Sequence, residues 1–178
     1  MERKIMLVTG ASDGIGKETA KTLAKQGHTV ILHGRNPQKT QAAYEEIKAE
    51  TGNPNLDVFT ADFLSLAAVK QFAAEIKQKY DRLDVLVNNA GAQFTDKREE
   101  TAGGFEKRMA INVFAPFLLP LAKATAPSIR AATSPEMEGV NGNYYGPKGA
   151  EKPSQKHYSP ENEQKVWDYC VRAVEAYR

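Results

Sequence analysis

Close to its start the chain reads Thr9-Gly10-Ala11-Ser12-Asp13-Gly14-Ile15-Gly16, directly after the apolar run Ile5-Met6-Leu7-Val8. A strand entering a glycine-rich turn and then a helix is suited to hold the phosphates of a dinucleotide. Gly10 permits a tight turn off the strand. Gly14 lets the backbone approach a pyrophosphate with no Cβ between them. Gly16 lets the helix pack close to the strand, so that its free N–H groups and positive dipole end face the anion. Ser12, Asp13 and Ile15 belong to the same turn and join the candidate contacts. The spacing is G-x-x-x-G-x-G, not the commoner G-x-G-x-x-G, and the competing reading is a glycine-rich loop without a ligand.

A second chemical signal lies at the end of the next apolar run, Leu32-His33-Gly34-Arg35-Asn36. A dinucleotide fold usually places an acid there to bind the ribose 2′-hydroxyl of NAD. This segment has no carboxylate. Arg35 offers a guanidinium suited to a 2′-phosphate, which favours NADP over NAD. The competing reading is an exposed charge at a strand end. His28, His33 and His157 show no metal-ligand spacing and read as ordinary surface or loop residues, so no metal site is expected.

The elements that must position these groups alternate. Strands are expected at residues 4–9, 29–32, 56–60 and 85–88. Helices are expected at 16–26, 37–50, 64–80 and 104–121, the last despite Pro116 and Pro120. Strands alternating with helices imply right-handed βαβ crossovers and a parallel sheet of order 3-2-1-4, the first half of a doubly wound α/β fold. After residue 121 the rhythm fails. A short strand is expected at 143–145, a polar loop at 149–161 and a terminal helix at 162–177. Trp167 and Tyr169 read as packing groups on that helix.

The 178 residues suit one domain. A net charge of +2 with mixed signs argues against a nucleic-acid or membrane-surface role. The single cysteine, Cys170, can form no internal disulfide. No apolar run approaches a membrane span, and the first one is too short for a signal-peptide core. A cytoplasmic protein is the expectation.

Three motifs together resemble the short-chain dehydrogenase/reductase family: the glycine segment 9–16, Asn88-Asn89-Ala90-Gly91 after the fourth strand, and Asn112 in the following helix. The tail Ala132-Thr133-Ser134-Pro135-Glu136-Met137-Glu138-Gly139-Val140-Asn141-Gly142-Asn143-Tyr144-Tyr145 is similar to the last helix and strand of the retinol-dehydrogenase-like branch. The resemblance covers residues 3–121 and 125–146. It implies a Rossmann-like fold with a dinucleotide-binding half at 1–121 and a remnant of the C-terminal part at 122–178. It implies NADP-dependent transfer of hydride between an alcohol and a carbonyl, with a small-molecule substrate. Asp62 resembles the aspartate that contacts the adenine amino group, with an N-cap of the third helix as the competing reading. Asn89, Ala90 and Gly91 would lie beside the adenine ribose. Asn112 would hold a helix kink and a water of the proton relay. A homo-oligomer is implied, with the Asn112 helix in its contact.

Family members carry, between these stretches, a fifth strand with a catalytic serine and a helix with Tyr-x-x-x-Lys. Here they are missing, as an internal deletion joined near residues 120–128 would leave them. Tyr44/Lys48 matches the spacing but lies on the second helix, and reads as a surface pair. Tyr144/Lys148 is interrupted by Gly146 and Pro147. Ser128 and Ser134 lack the family spacing. Loss of the positioned acid forfeits roughly 10²–10⁴ in rate. The alternatives to an oxidoreductase are therefore a catalytically inactive NADP-binding half-domain and a nonfunctional deletion product. The last reading rests on the open edge of the fourth strand, which the 143–145 strand could partly cover.

Overall fold

The computed structural model describes residues 2–94, 97–119, 144–146, 149–151 and 160–177. Four strands form a parallel sheet: β1 (Ile5–Val8), β2 (Thr29–Gly34), β3 (Leu56–Thr60) and β4 (Val85–Val87), in the order β3-β2-β1-β4. The register sets Leu7 beside both Ile31 and Leu86. Alternation along β1 and β2 then sorts the core. Leu7, Ile31 and Leu86 face one side, and Met6, Val8, Val30 and Leu32 face the other.

The second of these faces is covered by α1 (Gly14–Lys25) and α2 (Pro37–Thr51), through Ala20, Leu23, Ala24, Ala43 and Ile47. The first is covered by α3 (Leu66–Lys79), whose Leu66, Val69, Phe72, Ala73 and Ile76 recur at helical spacing. It is also covered by a helical stretch made of α4 (Lys107–Met109), a π turn (Ala110–Phe114) and α5 (Ala115–Leu118). The last helix, α6 (Pro160–Val174), ends in a 3-10 turn (Glu175–Tyr177) and adds Cys170 and Val174 to this core.

Caps explain where the helices begin. The Ser65 hydroxyl accepts from Ala68 N at 3.3 Å, so α3 starts at Leu66 and Asp62 is not its N-cap. Asp62 instead accepts from Leu64 N at 3.0 Å, an Asx turn. Glu106 accepts from Met109 N at 2.9 Å, and Gly104 sits at φ +77° in the turn before it, so the helix expected from 104 begins at 107. Pro116 falls in the first turn of α5, just past the π turn, where a missing N–H costs little.

The C-terminal expectations need correction. The strand expected at 143–145 is β5 (Tyr144–Gly146), and it does not pair with β4. It pairs antiparallel with β6 (Gly149–Glu151), which occupies the start of the segment expected to be a loop. A two-stranded hairpin satisfies its backbone locally, so among the described residues β4 remains an edge of the main sheet. The expected junction near 120–128, and the tail resemblance apart from Tyr144 and Tyr145, lie outside the described residues, as do Ser128, Ser134, Lys148 and His157.

At the opposite end from the glycine turn, Asn53 closes the base of the sheet. Its Nδ2 donates to Ala24 O at 2.9 Å and His28 O at 2.8 Å, and it is 6% exposed. Asn53→Ala would remove the side-chain donor from both carbonyls, of which Ala24 O keeps its bond from Gly27 N. We expect a loss of about 1–3 kcal/mol in urea unfolding, with nucleotide binding unchanged.

Candidate nucleotide-binding site

The C-terminal ends of β1, β2, β3 and β4 open into one cleft of about 560 Å³. Its walls are Gly10, Ser12, Asp13, Gly14, Ile15 and Gly16 from the first turn, Arg35 after β2, Asp62 after β3, and Asn89, Ala90 and Gly91 after β4. Each residue picked out as a cofactor contact thus lies on the same cavity. His33, Ala61, Phe63, Ala92 and Ile111 complete the lining, and sequence reasoning did not select them.

The glycine turn owes its shape to its neighbours. Gly10 has φ +66°, and a Cβ there would stand 2.9 Å from Ala90 Cα. A Cβ on Gly16 would collide with Gly10 O and Asn89 Nδ2. Gly14 has φ +53° with no heavy atom within 4 Å of its Cβ position, so its backbone lies open to the cleft. Asp13 caps α1, with its carboxylate accepting from Gly14 N at 2.7 Å.

A latch joins this turn to the loop after β4. Thr9 Oγ1 donates to Val87 O at 3.2 Å and accepts from Asn89 N at 3.0 Å and Ala90 N at 2.9 Å. Asn89 Nδ2 donates back to Thr9 O at 2.9 Å and Gly10 O at 3.1 Å. The Asn89 side chain is therefore committed to holding the glycine turn, while its backbone lines the cleft.

Asn112 sits in the π turn. Its Oδ1 accepts from Ala92 N at 3.1 Å and its Nδ2 donates to Ala92 O at 3.2 Å. This pair clamps the loop 88–92 to the helix, a structural task that the exposed Asn112 performs with both ends of its carboxamide. A π turn is a common irregularity at functional sites because it re-aims a side chain without ending the helix.

Arg35 is exposed on the rim of the cleft, and among the described residues it has no ion-pair partner. Ser12 lies beside Gly34, 3.1 Å from where a Cβ would sit, one residue from Arg35. Tyr44 and Lys48 are distant from these walls. They meet at 3.3 Å on the exposed side of α2, a surface pair as expected. Tyr144 lies on a strand, where no helix can align it with Lys148.

Two histidines depart from expectation. His28 and His33 are buried, at 1% and 2% exposure, not surface residues. β2 runs two residues past Leu32, and its alternation carries His33 to the same face as Ile31. There it stacks on Phe63 at 4.1 Å and meets Phe72 at 4.8 Å. Burial lowers the His33 pKa to about 4, against a smaller opposing effect of its bond to Ala61. The unfolded chain binds a proton near pH 6.5, while the folded chain stays neutral until about pH 4. The stability His33 gains from neutrality is full above pH 6.5 and is lost as pH falls towards 4. We expect wild type to lose about 2 kcal/mol more than His33→Phe between pH 7.5 and pH 5 in urea unfolding. His28, also lowered by burial, is common to both proteins and cancels.

A parallel sheet of order 3-2-1-4 with a glycine turn at its first crossover, and a cleft across the carboxyl ends of its strands, is the architecture of a Rossmann-like α/β fold. The family model for short chain dehydrogenase matches residues 4–133, and the chain belongs to that family of oxidoreductases. It is 39% identical to human retinol dehydrogenase 13 over 130 residues, covering 70% of this chain and 39% of that protein. It is 39% identical to human polyprenol dehydrogenase over 116 residues, covering 65% of this chain and 35% of that protein. Among solved structures, a metagenomic short-chain oxidoreductase in complex with NADP matches with TM-score 0.57 and 33% identity, over 65% of this chain and 52% of that one. The E. coli oxidoreductase yciK matches with TM-score 0.57 and 36% identity, over 70% and 55%. The chain thus matches about two fifths of the length of these dehydrogenases. No described helix is long and apolar enough to cross a membrane.

Proposed function

We propose that this chain binds NADP(H) through the adenosine and pyrophosphate half of the cofactor. The observation that carries the reading is the cradle at Gly16: its Cβ space is filled by Gly10 O and the Asn89 amide, which holds the start of α1 close against the turn with Gly14, Ile15 and Gly16 on the cleft wall. The Gly10–Gly16 turn takes the pyrophosphate. Arg35 and the Ser12 hydroxyl take the 2′-phosphate, and Asp62 with the Asn89–Gly91 backbone takes the adenosine. When bound, the nicotinamide supplies or accepts the hydride exchanged with an alcohol or carbonyl substrate, the reaction of the family.

The proton for that reaction needs an acid, and among the described residues neither tyrosine of the two Tyr-x-x-x-Lys matches lies on a helix following Asn112. Tyr44 is on α2 and Tyr144 is on a strand. We therefore assign the chain the binding half of the reaction, and assign turnover to a form that also carries the missing tyrosine and lysine. Fluorescence titration tests the first part. NADPH should bind at least tenfold more tightly than NADH, and 2′-phospho-ADP-ribose within about threefold of NADPH. Equal affinity for NADH and NADPH would overturn the choice of cofactor. Intact mass of the protein from its natural source tests the second part. A mass of 19.6 kDa supports a genuine internal deletion, and a larger one places the catalytic groups back in the protein.

A further inference from the structure

Among the described residues, His33 is the one cleft-lining side chain that is almost fully buried, polar, and bonded to two different walls. Its Nδ1 accepts from Gly10 N at 3.4 Å, and its Nε2 meets Ala61 O at 3.1 Å. A carbonyl can only accept, so Nε2 carries the proton and Nδ1 is left as the acceptor for Gly10. The ring must be neutral to serve both. The main chain of His33 and Gly34 joins the same two walls, since Ala11 N donates to His33 O at 2.7 Å and Ala61 N donates to Gly34 O at 3.3 Å. Phe63 stacks on the ring with planes 14° apart, which fixes the direction of both bonds.

We propose that His33 is a positioning residue that ties the glycine turn to the β3–α3 loop, and so sets the separation of the two walls that grip the adenosine half of the nucleotide. The inference rests on the reading of the cleft as an NADP(H) site. The turn has its own latch to β4 through Thr9 and Asn89, but that latch reaches the loop after β4 and not the one after β3. Among the described residues, only the end of β2 bridges to Ala61. Leucine in place of His33 keeps the apolar filling and removes both side-chain bonds. Asparagine keeps an acceptor near the Nδ1 position and restores the bond to Gly10 alone.

The test has two readouts, one of them independent of any nucleotide. The first is amide hydrogen exchange in the free protein, read at Gly10 and compared with Leu7 and Val8 in β1. The second is the dissociation constant for NADPH. In His33→Leu we expect Gly10 to lose at least tenfold in protection while Leu7 and Val8 keep theirs, with NADPH affinity down about tenfold. In His33→Asn we expect Gly10 protection restored and affinity intermediate. If His33→Leu does not fold, the asparagine variant carries the test, with Gly10 protected and NADPH affinity about threefold weaker. Unchanged protection at Gly10 in His33→Leu, or affinity unchanged in either variant that folds, would overturn the proposal. Loss of protection at Gly10 in His33→Leu, with a wild-type protein that binds no dinucleotide, would support the tie itself and overturn the NADP(H) reading instead.

Discussion

Arg35→Glu is expected to reverse the cofactor preference, weakening NADPH at least 100-fold while leaving NADH within about threefold. The guanidinium stands on the rim with no ion-pair partner among the described residues, so no other interaction is lost with it. A charge-assisted hydrogen bond to a phosphate contributes roughly 1.5–3 kcal/mol. Glutamate removes that contribution and adds repulsion against a group of about two negative charges. A carboxylate at this position could instead accept from the two ribose hydroxyls of NADH, as acids there do in NAD-binding folds. Stability should change little, because exposed charges rarely matter to it. Calorimetric titration of both dinucleotides into each protein checks this. Parallel losses for NADPH and NADH would show that Arg35 serves the fold and not the 2′-phosphate.

Gly16→Val should abolish dinucleotide binding and lower stability by about 1–3 kcal/mol. The added atoms would meet Gly10 O and Asn89 Nδ2, which are bonded to each other at 3.1 Å. Neither is the free end of a flexible chain. Gly10 O belongs to a backbone held by the Thr9 latch, and the Asn89 amide is committed to two carbonyls. The helix must then move off the turn, and its first-turn amides move with it. Gly14→Ala is the control. It meets no atom, and its cost is the positive φ alone, about 1 kcal/mol, with binding reduced but retained. Urea unfolding and NADPH titration of the pair separate crowding of the cradle from general damage.

The sheet order was legible because four β-rich runs alternate with amphipathic helices, and the crossover rule leaves few topologies. The cleft walls were legible because each follows directly from a strand end. Boundaries were less so: Ser65 and Glu106 outcompeted Asp62 and Gly104 as helix starts through side-chain bonds that spacing alone does not rank. His33 was missed because a histidine past an apolar run looks like a loop residue. Two signals could have found it. β2 lies between two partner strands and is covered on both faces, and Phe59, Phe63 and Phe72 share the region where its alternation points. The hairpin of β5 and β6 was hidden because three-residue strands rich in glycine carry little periodicity.

In the proposed function, the cleft at the carboxyl ends of the strands holds the adenosine and pyrophosphate half of NADP(H). The most direct measurement is a two-dimensional amide NMR titration of the full chain with NADPH. Binding in the cleft predicts saturable shifts at Gly10, Ser12, Gly14, Gly16, Arg35 and Asp62, with Asn53 and Lys79 at the other end of the sheet unmoved. Shifts confined to other residues, or none at millimolar NADPH in a folded protein, would contradict it.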